Sequence, residues 1–152
     1  MLPPSRYEEL ADLMFFNLRQ HLVRNDIVNA IELYGVPTIV TADDTLRFSV
    51  EKLGQVQTLY ALEDDAATGR LVGALVYARV SDCRIVLLHM SVAAPYASGG
   101  SAARKLLVLK MVERLKRACK ALKGVRELEI LYGRRPAVLR VSARERKLWS
   151  AA

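Results

Sequence analysis

The sequence predicts an α+β fold in three layers, α/β/α, built on a mixed, mainly antiparallel sheet flanked by helices. Three observations predict it. Residues 57–63, 70–80 and 84–92 are strand-length apolar runs separated by turn residues, the pattern of an antiparallel meander. Helical spacing of apolar residues occurs twice before that meander and once, at length, after it. With 152 residues, 52% of them hydrophobic, and no low-complexity tract or linker, the chain is expected to form a single domain, 1–152, around a substantial core.

Taken in order, residues 5–23 open with a capping-type Ser5 and carry Glu8 and Glu9 in the first turn, where carboxylates favour the helix dipole. Leu10, Leu13, Met14, Leu18 and His21 or Leu22 then recur at helical spacing, and Phe15 and Phe16 widen the apolar face. A histidine such as His21 on this face ordinarily packs rather than ligates. A second helix runs from Asn25 or Asp26 to Tyr34, ended by Gly35 and barred from continuing by Pro37. Thr38, Ile39, Val40 and Thr41 form a short strand, and Asp43 with Asp44 marks a turn. Residues 46–53 fit a strand or a helix equally and stay open between the two. The meander follows, its turns at 64–69 and at Ser81 and Asp82.

A long helix is expected from about Ser101 to Leu122, with Leu106, Leu107, Leu109 or Lys110, Met111, Leu115, Ala118 and Leu122 on one side. Lys105, Arg114, Lys116, Arg117, Lys120 and Lys123 dominate elsewhere on it. Gly124 ends it, and residues 125–132 alternate as another strand. Residues 136–149 fit one basic helix, in which Trp149 is expected to dock on something. A sheet that stops after Tyr132 leaves that strand's outer edge unpaired, a liability that chains cover. The tail carries Arg134, Arg135, Arg140, Arg144, Arg146 and Lys147, and it would prefer an acidic surface on the same chain or a second copy. A homodimer is therefore expected.

The net charge of +7 is polarised along the chain. Positions 1–103 hold 8 Lys and Arg against 12 Asp and Glu, a net of −4, while positions 104–152 hold 15 against 4, a net of +11. Such a balance points to nucleic acid, an acidic protein or a polyphosphate cofactor as partner, or to solvated helix faces. No apolar stretch approaches the roughly 20 residues of a membrane span, and Met1, Leu2, Pro3 and Pro4 do not begin a signal peptide, so a soluble, cytoplasmic protein without membrane association is expected. Cys83 and Cys119 lack C-x-x-C spacing and His21 and His89 lie far apart, which suggests neither a metal site nor a disulfide framework.

The junction between meander and long helix carries the most chemistry. The apolar strand ends at a proline, Pro95, and passes through Tyr96, Ala97, Ser98, Gly99, Gly100, Ser101 and Ala102 into helical spacing. Small side chains let a ligand approach the backbone, and a helix that begins there offers unpaired N–H groups to an anion. At these residues the chain resembles the GNAT N-acyltransferase superfamily, whose signature reads roughly V-x-P-x-Y-(R/Q)-G-x-G-(I/V)-(G/A). Val92, Tyr96, Gly100 and Ala102 fall on matching positions. Pro95 is displaced, Ala97 stands at the Arg/Gln position and Ser101 at the branched one; the leucine pair Leu106 and Leu107 comes one residue late. The resemblance spans roughly positions 58 to 132.

The resemblance implies coenzyme A-dependent acyl transfer from acetyl-CoA, or another acyl-CoA, to a small-molecule or protein amine. It implies that the two early helices flank the acceptor entrance, and that strand 125–132 splays from its neighbour to open the cofactor cleft. The pyrophosphate would lie at Gly99, Gly100, Ser101 and Ala102, and the backbone N–H groups of Met90 and Val92 would meet the thioester oxygen. His89 stands just before them, where relatives often carry a carboxylate, and an imidazole titrates in the range of a general base. Tyr132 lies too early to inherit the family's tyrosine acid. A short helix and two strands that the family places after Gly133 do not fit in the remaining residues, so the fold reads as truncated. The alternative is a non-catalytic domain of the same fold, whose basic C-terminal third binds nucleic acid or an acidic protein.

Overall fold

A computed structural model describes residues 1–16, 24–63, 69–131 and 137–141. Three helices and seven strands follow one another as α1 (Tyr7–Phe15), α2 (Arg24–Tyr34), β1 (Pro37–Ala42), β2 (Thr45–Val50), β3 (Gly54–Leu62), β4 (Leu71–Arg79), β5 (Arg84–Val92), α3 (Leu107–Ala121), β6 (Glu127–Ile130) and β7 (Ala137–Arg140). The strands form one mixed sheet in the order β1-β2-β3-β4-β5-β6-β7, antiparallel except where β6 runs parallel to β5. The α+β expectation is met. Parallel pairing of β5 with β6 requires a crossover, which α3 provides.

The two faces of the sheet are covered by different helices. Leu10, Leu13 and Met14 of α1 pack with Phe48, Val76, Val86 and Leu88, and Ile27, Ala30 and Tyr34 of α2 join them. Met111, Leu115 and Cys119 of α3, spaced four residues apart on one stripe, pack on the other face against Leu75, Ile85 and Leu87. Alternation along β5 sends Ile85 and Leu87 to α3 and Val86 and Leu88 to α1. Phe15 meets Phe48 edge-on, ring centroids 6.2 Å apart. Each fully buried side chain of these clusters, such as Phe48, Leu10 or Leu87, contributes about 1.5–3 kcal/mol over its exposed state.

The ambiguous stretch 46–53 resolves into β2 followed by a turn at residues 51–53. Asp43 and Asp44, with φ of 49° and 58°, make the two-residue connection from β1 to β2, a conformation that a short polar side chain tolerates. The first helix starts later than its composition suggests, because Pro4–Arg6 form a 3₁₀ turn and Ser5 makes no cap. Glu9 is held instead by Arg6, at 2.6 Å, and by the Leu71 N–H, at 2.6 Å, which ties α1 to the start of β4. Leu18, His21 and Leu22 lie outside the described residues.

Two expectations are corrected. The long helix begins at Leu107, not Ser101, since a 3₁₀ turn at Ala103–Lys105 and a left-handed Leu106 intervene. The tail does not begin as a helix: Ala137–Arg140 is a strand, pairing antiparallel with β6 so that Leu139 faces Leu128 and Arg140 faces Glu127. The alternation of Val138, Leu139 and Arg140 beside a ready strand edge outweighs the helical propensity of the arginines. The β6 edge is thus covered by the chain itself, so it is not the edge that a second copy would pair with, and β7 becomes the sheet's outer strand. Trp149, Arg144, Arg146 and Lys147 lie outside the described residues. Among the described residues no helix is long and apolar enough to cross a membrane.

Candidate functional site

β5 is the element around which the candidate site is built. Its pairing with β4 slips between Val76 and Tyr77: Val76 faces His89 whereas Tyr77 faces Leu87, so Leu88 is one residue too many for the ladder. Such a bulge breaks the period of two and lets two consecutive side chains share a face. Leu88 and His89 accordingly both line a cavity of about 180 Å³ beneath α1 and α2, together with Phe15, Ile27, Ile31 and Tyr34. Pairing of β5 with β6 covers only Arg84–Leu87 against Glu127–Ile130. The bulge therefore comes where β5 runs on past β6.

Among the described residues the cavity wall is apolar except at His89 and Tyr34. His89 is buried, and its Nε2 lies 3.0 Å from the carbonyl oxygen of Met14. A carbonyl only accepts, so Nε2 carries the proton and, in the neutral ring, Nδ1 carries the lone pair. Burial lowers the His89 pKa below its ordinary value, opposed by the bond to Met14. Two residues on, the Ser91 hydroxyl donates to the Leu13 carbonyl at 2.6 Å. These carbonyls belong to the last turn of α1, where helical partners run out, so β5 caps the helix that roofs the cavity. Tyr34 is the second polar wall residue. Burial raises its pKa, the nearby Glu129 carboxylate adds to this, and Arg84 opposes it. Arg84 itself bridges Glu127 at 2.7 Å and Glu129 at 3.4 Å.

On the sheet's other side, Met90 packs toward α3 and Val92 is buried there. The bond from the Ala93 N–H to the Val72 carbonyl sets the phase of the ladder, which turns the N–H groups of Met90 and Val92 away from β4 and toward the side of β6.

The turn after β5 departs from expectation. Ala94–Tyr96 form a 3₁₀ turn, and the Tyr96 hydroxyl donates to Glu63 at 2.6 Å, which together with Arg70 and Lys105 holds that carboxyl below the usual range. The Lys105 ammonium stands 5.6 Å from the centre of the Tyr96 ring. Gly99 takes a φ of +80° with open space around it. Gly100 is a glycine for another reason: an added Cβ would overlap the carbonyl oxygens of Ala94 and Pro95. The Gly100 N–H donates to Ala97 O at 2.9 Å and the Ala102 N–H to Pro95 O at 2.7 Å, so two of the four expected cradle donors are used inside the loop. Ser101 is exposed, and the true start of α3 lies six residues beyond it.

The structure thus gathers His89, Met90 and Val92 on one bulged stretch but separates residues 99–102 from the helix meant to complete the cradle. Tyr34 was not singled out from the sequence, although its place at the end of an apolar stripe beside Gly35 marks it. Comparison with known proteins gives no match: no family model fits the chain, and neither a curated protein nor a solved structure is significantly similar to it.

Proposed function

We propose that the chain is a coenzyme A-dependent N-acyltransferase whose acyl donor lies in the crevice at the carboxyl ends of β5 and β6 and whose acceptor amine enters from the cavity under α1 and α2. The observation that carries this reading is the bulge at Leu88, set where β5 runs beyond its pairing with β6. A crevice at the carboxyl ends of parallel strands is the favoured place for a ligand in an open sheet. The bulge also puts a neutral imidazole on the cavity side and two backbone N–H groups on the β6 side. The turn fits a pyrophosphate only in part. With Gly100 and Ala102 donating inward, phosphate recognition falls to Ser101, Arg104, Lys105 and the opening N–H groups of α3.

In this reading the N–H groups of Met90 and Val92 receive the oxyanion as the amine attacks the thioester carbon. A new C–N bond forms, the C–S bond breaks, the amine's proton passes to the His89 imidazole, and the departing thiolate takes a proton from solvent. Burial lowers the His89 pKa, which keeps the ring in its neutral, proton-accepting form. Apolar walls favour an acceptor with an aliphatic or aromatic body.

Titration calorimetry with acetyl-CoA tests cofactor binding. Binding by the wild type, weakened at least tenfold in Ser101→Glu, is expected; no binding by the wild type ends the proposal. His89→Gln keeps a donor for Met14 O but removes the base, so release of free thiol should fall about 10²-fold or more with cofactor affinity unchanged. An unchanged rate would return His89 to a purely structural role.

A further inference from the structure

We propose that the face of the sheet beside α3 binds the phosphate backbone of duplex nucleic acid, in the groove between α3 and β3. The groove has a volume of about 590 Å³, with Leu59 and Ala118 as its apolar lining and Lys110, Glu113, Arg114 and Arg117 around them. Lys110, Arg114 and Arg117 follow at intervals of four and three residues, one stripe about 10 Å long on the side of the helix turned to β3. Glu113 is the helix's one carboxylate and is occupied by Lys116 at 2.7 Å. Among the described residues no ion pair engages Lys110, Arg114, Arg117 or Lys120. Helix-dipole compensation accounts for Lys120 in the last turn, not for the stripe along the middle.

The surface continuing from this groove distinguishes a nucleic acid from an acidic protein. Alternation places Gln55 and Gln57 on the same face of β3 as Leu59, both exposed. On β2 the neighbouring Arg47, ion-paired with Asp43 at 3.3 Å, also reaches the Gln55 side-chain carbonyl at 3.3 Å, and Thr45, Arg47, Gln55 and Gln57 border a second cleft of about 310 Å³ whose remaining lining includes Leu46, Val56 and Tyr60. The sheet face beside the cationic helix is thus made of amide, hydroxyl and guanidinium groups, the types that contact sugar and base edges. A protein partner would need an apolar or aromatic anchor pocket, and among the described residues the groove's apolar lining is Leu59 and Ala118. Among the described residues its lining has no aromatic side chain on which single-stranded bases could stack, which favours the duplex. Guanidinium forks at Arg114 and Arg117 match phosphate oxygens.

The test is fluorescence anisotropy with a labelled 20-base-pair DNA duplex between 50 and 200 mM salt. Three full-length proteins are compared: wild type, the triple variant Lys110→Gln, Arg114→Gln, Arg117→Gln, and a control with the same charge loss elsewhere, Lys52→Gln, Arg126→Gln, Arg140→Gln. All six side chains are exposed. Urea unfolding verifies that each variant folds, and acetyl-CoA titration reports separately on the acyltransferase reading, which this site does not require. The groove variant should lose about three units of salt slope, so that the wild type's affinity falls about 40-fold more across that range, while the control stays near wild type. No duplex binding by the wild type, or equal losses in the two variants, would overturn the site. Tighter binding of polyglutamate than of duplex, lost in the groove variant, would make the occupant an acidic protein and overturn the nucleic-acid assignment.

Discussion

Gly100→Ala separates a glycine needed by the loop from one kept clear for a ligand. A methyl group there would overlap the carbonyl oxygens of Ala94 and Pro95 and lie 2.7 Å from the Pro95 carbonyl carbon, closer than the 3.0 Å that real Cβ atoms essentially never breach. These are backbone atoms, so no side chain can swing aside. The Pro95 carbonyl must move, and it is the acceptor for the Ala102 N–H at 2.7 Å. Losing that bond costs about 0.5–1.5 kcal/mol. Forcing a methyl into a packed site adds about 1–3 kcal/mol. The expected destabilisation is about 2–4 kcal/mol, read as a lower urea midpoint at unchanged m-value and, for a chain of this size, a fall in Tm of about 5–15 °C. Gly99→Ala, with open space but a φ of +80°, should cost only about 1–2 kcal/mol. If Gly100→Ala unfolds like the wild type without ligand, the loop is not packed this way and the residue's smallness serves an approaching phosphate.

Leu106→Gly should stabilise the protein by about 0.5–1 kcal/mol, because this exposed leucine sits at φ 51° and ψ 44° and relief of that strain exceeds the entropy that glycine adds to the unfolded chain; a lower urea midpoint would contradict this. Ser91→Ala should cost about 1–3 kcal/mol by leaving the Leu13 carbonyl buried without its hydroxyl donor, again read from urea unfolding. Acidification should weaken the protein in two steps. Below about pH 6.5 the unfolded state protonates His89 while the folded state, with its lowered pKa, does not, so stability falls, and this limb should vanish in His89→Gln. Glu9, lowered mainly by Arg6, contributes stability above its ordinary 4.5 that is lost as pH falls through its folded value, a limb that His89→Gln should keep and Glu9→Gln remove.

The meander was legible because short-range signals agree there: Arg84–Val92 has the expected bounds, and β3 and β4 differ from expectation only at their ends. The start of α3 was not legible. Ala102, Ala103 and Leu106 have helical propensity, and nothing local announces that the Ala102 N–H will bond back to Pro95 or that Leu106 will turn left-handed. The tail misled in the same way, since a strand of four residues is decided by the edge it meets rather than by its own spacing. At the site, His89 was visible as a polar residue in an apolar strand, whereas Ser91 was not singled out. The partners of both were not legible, because the carbonyls that accept from them close a helix some 75 residues earlier.

That capping contact bears on whether His89 can also be a base. An imidazole that merely packed would gain nothing from the bulge, which costs ladder bonds and brings a polar ring into an apolar cavity. An imidazole that only capped α1 would be replaceable by glutamine, whose amide donates equally well to Met14 O. Acyl transfer asks for the one thing glutamine lacks, a basic lone pair on the atom opposite the capping bond. The capping bond also fixes the ring plane, so the structural role would orient the catalytic one. The acid limb of kcat/KM should then lie below pH 6.5, following the lowered His89 pKa, and should disappear together with turnover in His89→Gln while Ser91→Ala loses stability and retains the same limb. A limb at or above pH 6.5 would assign the titration to another group and leave His89 as the clasp of α1.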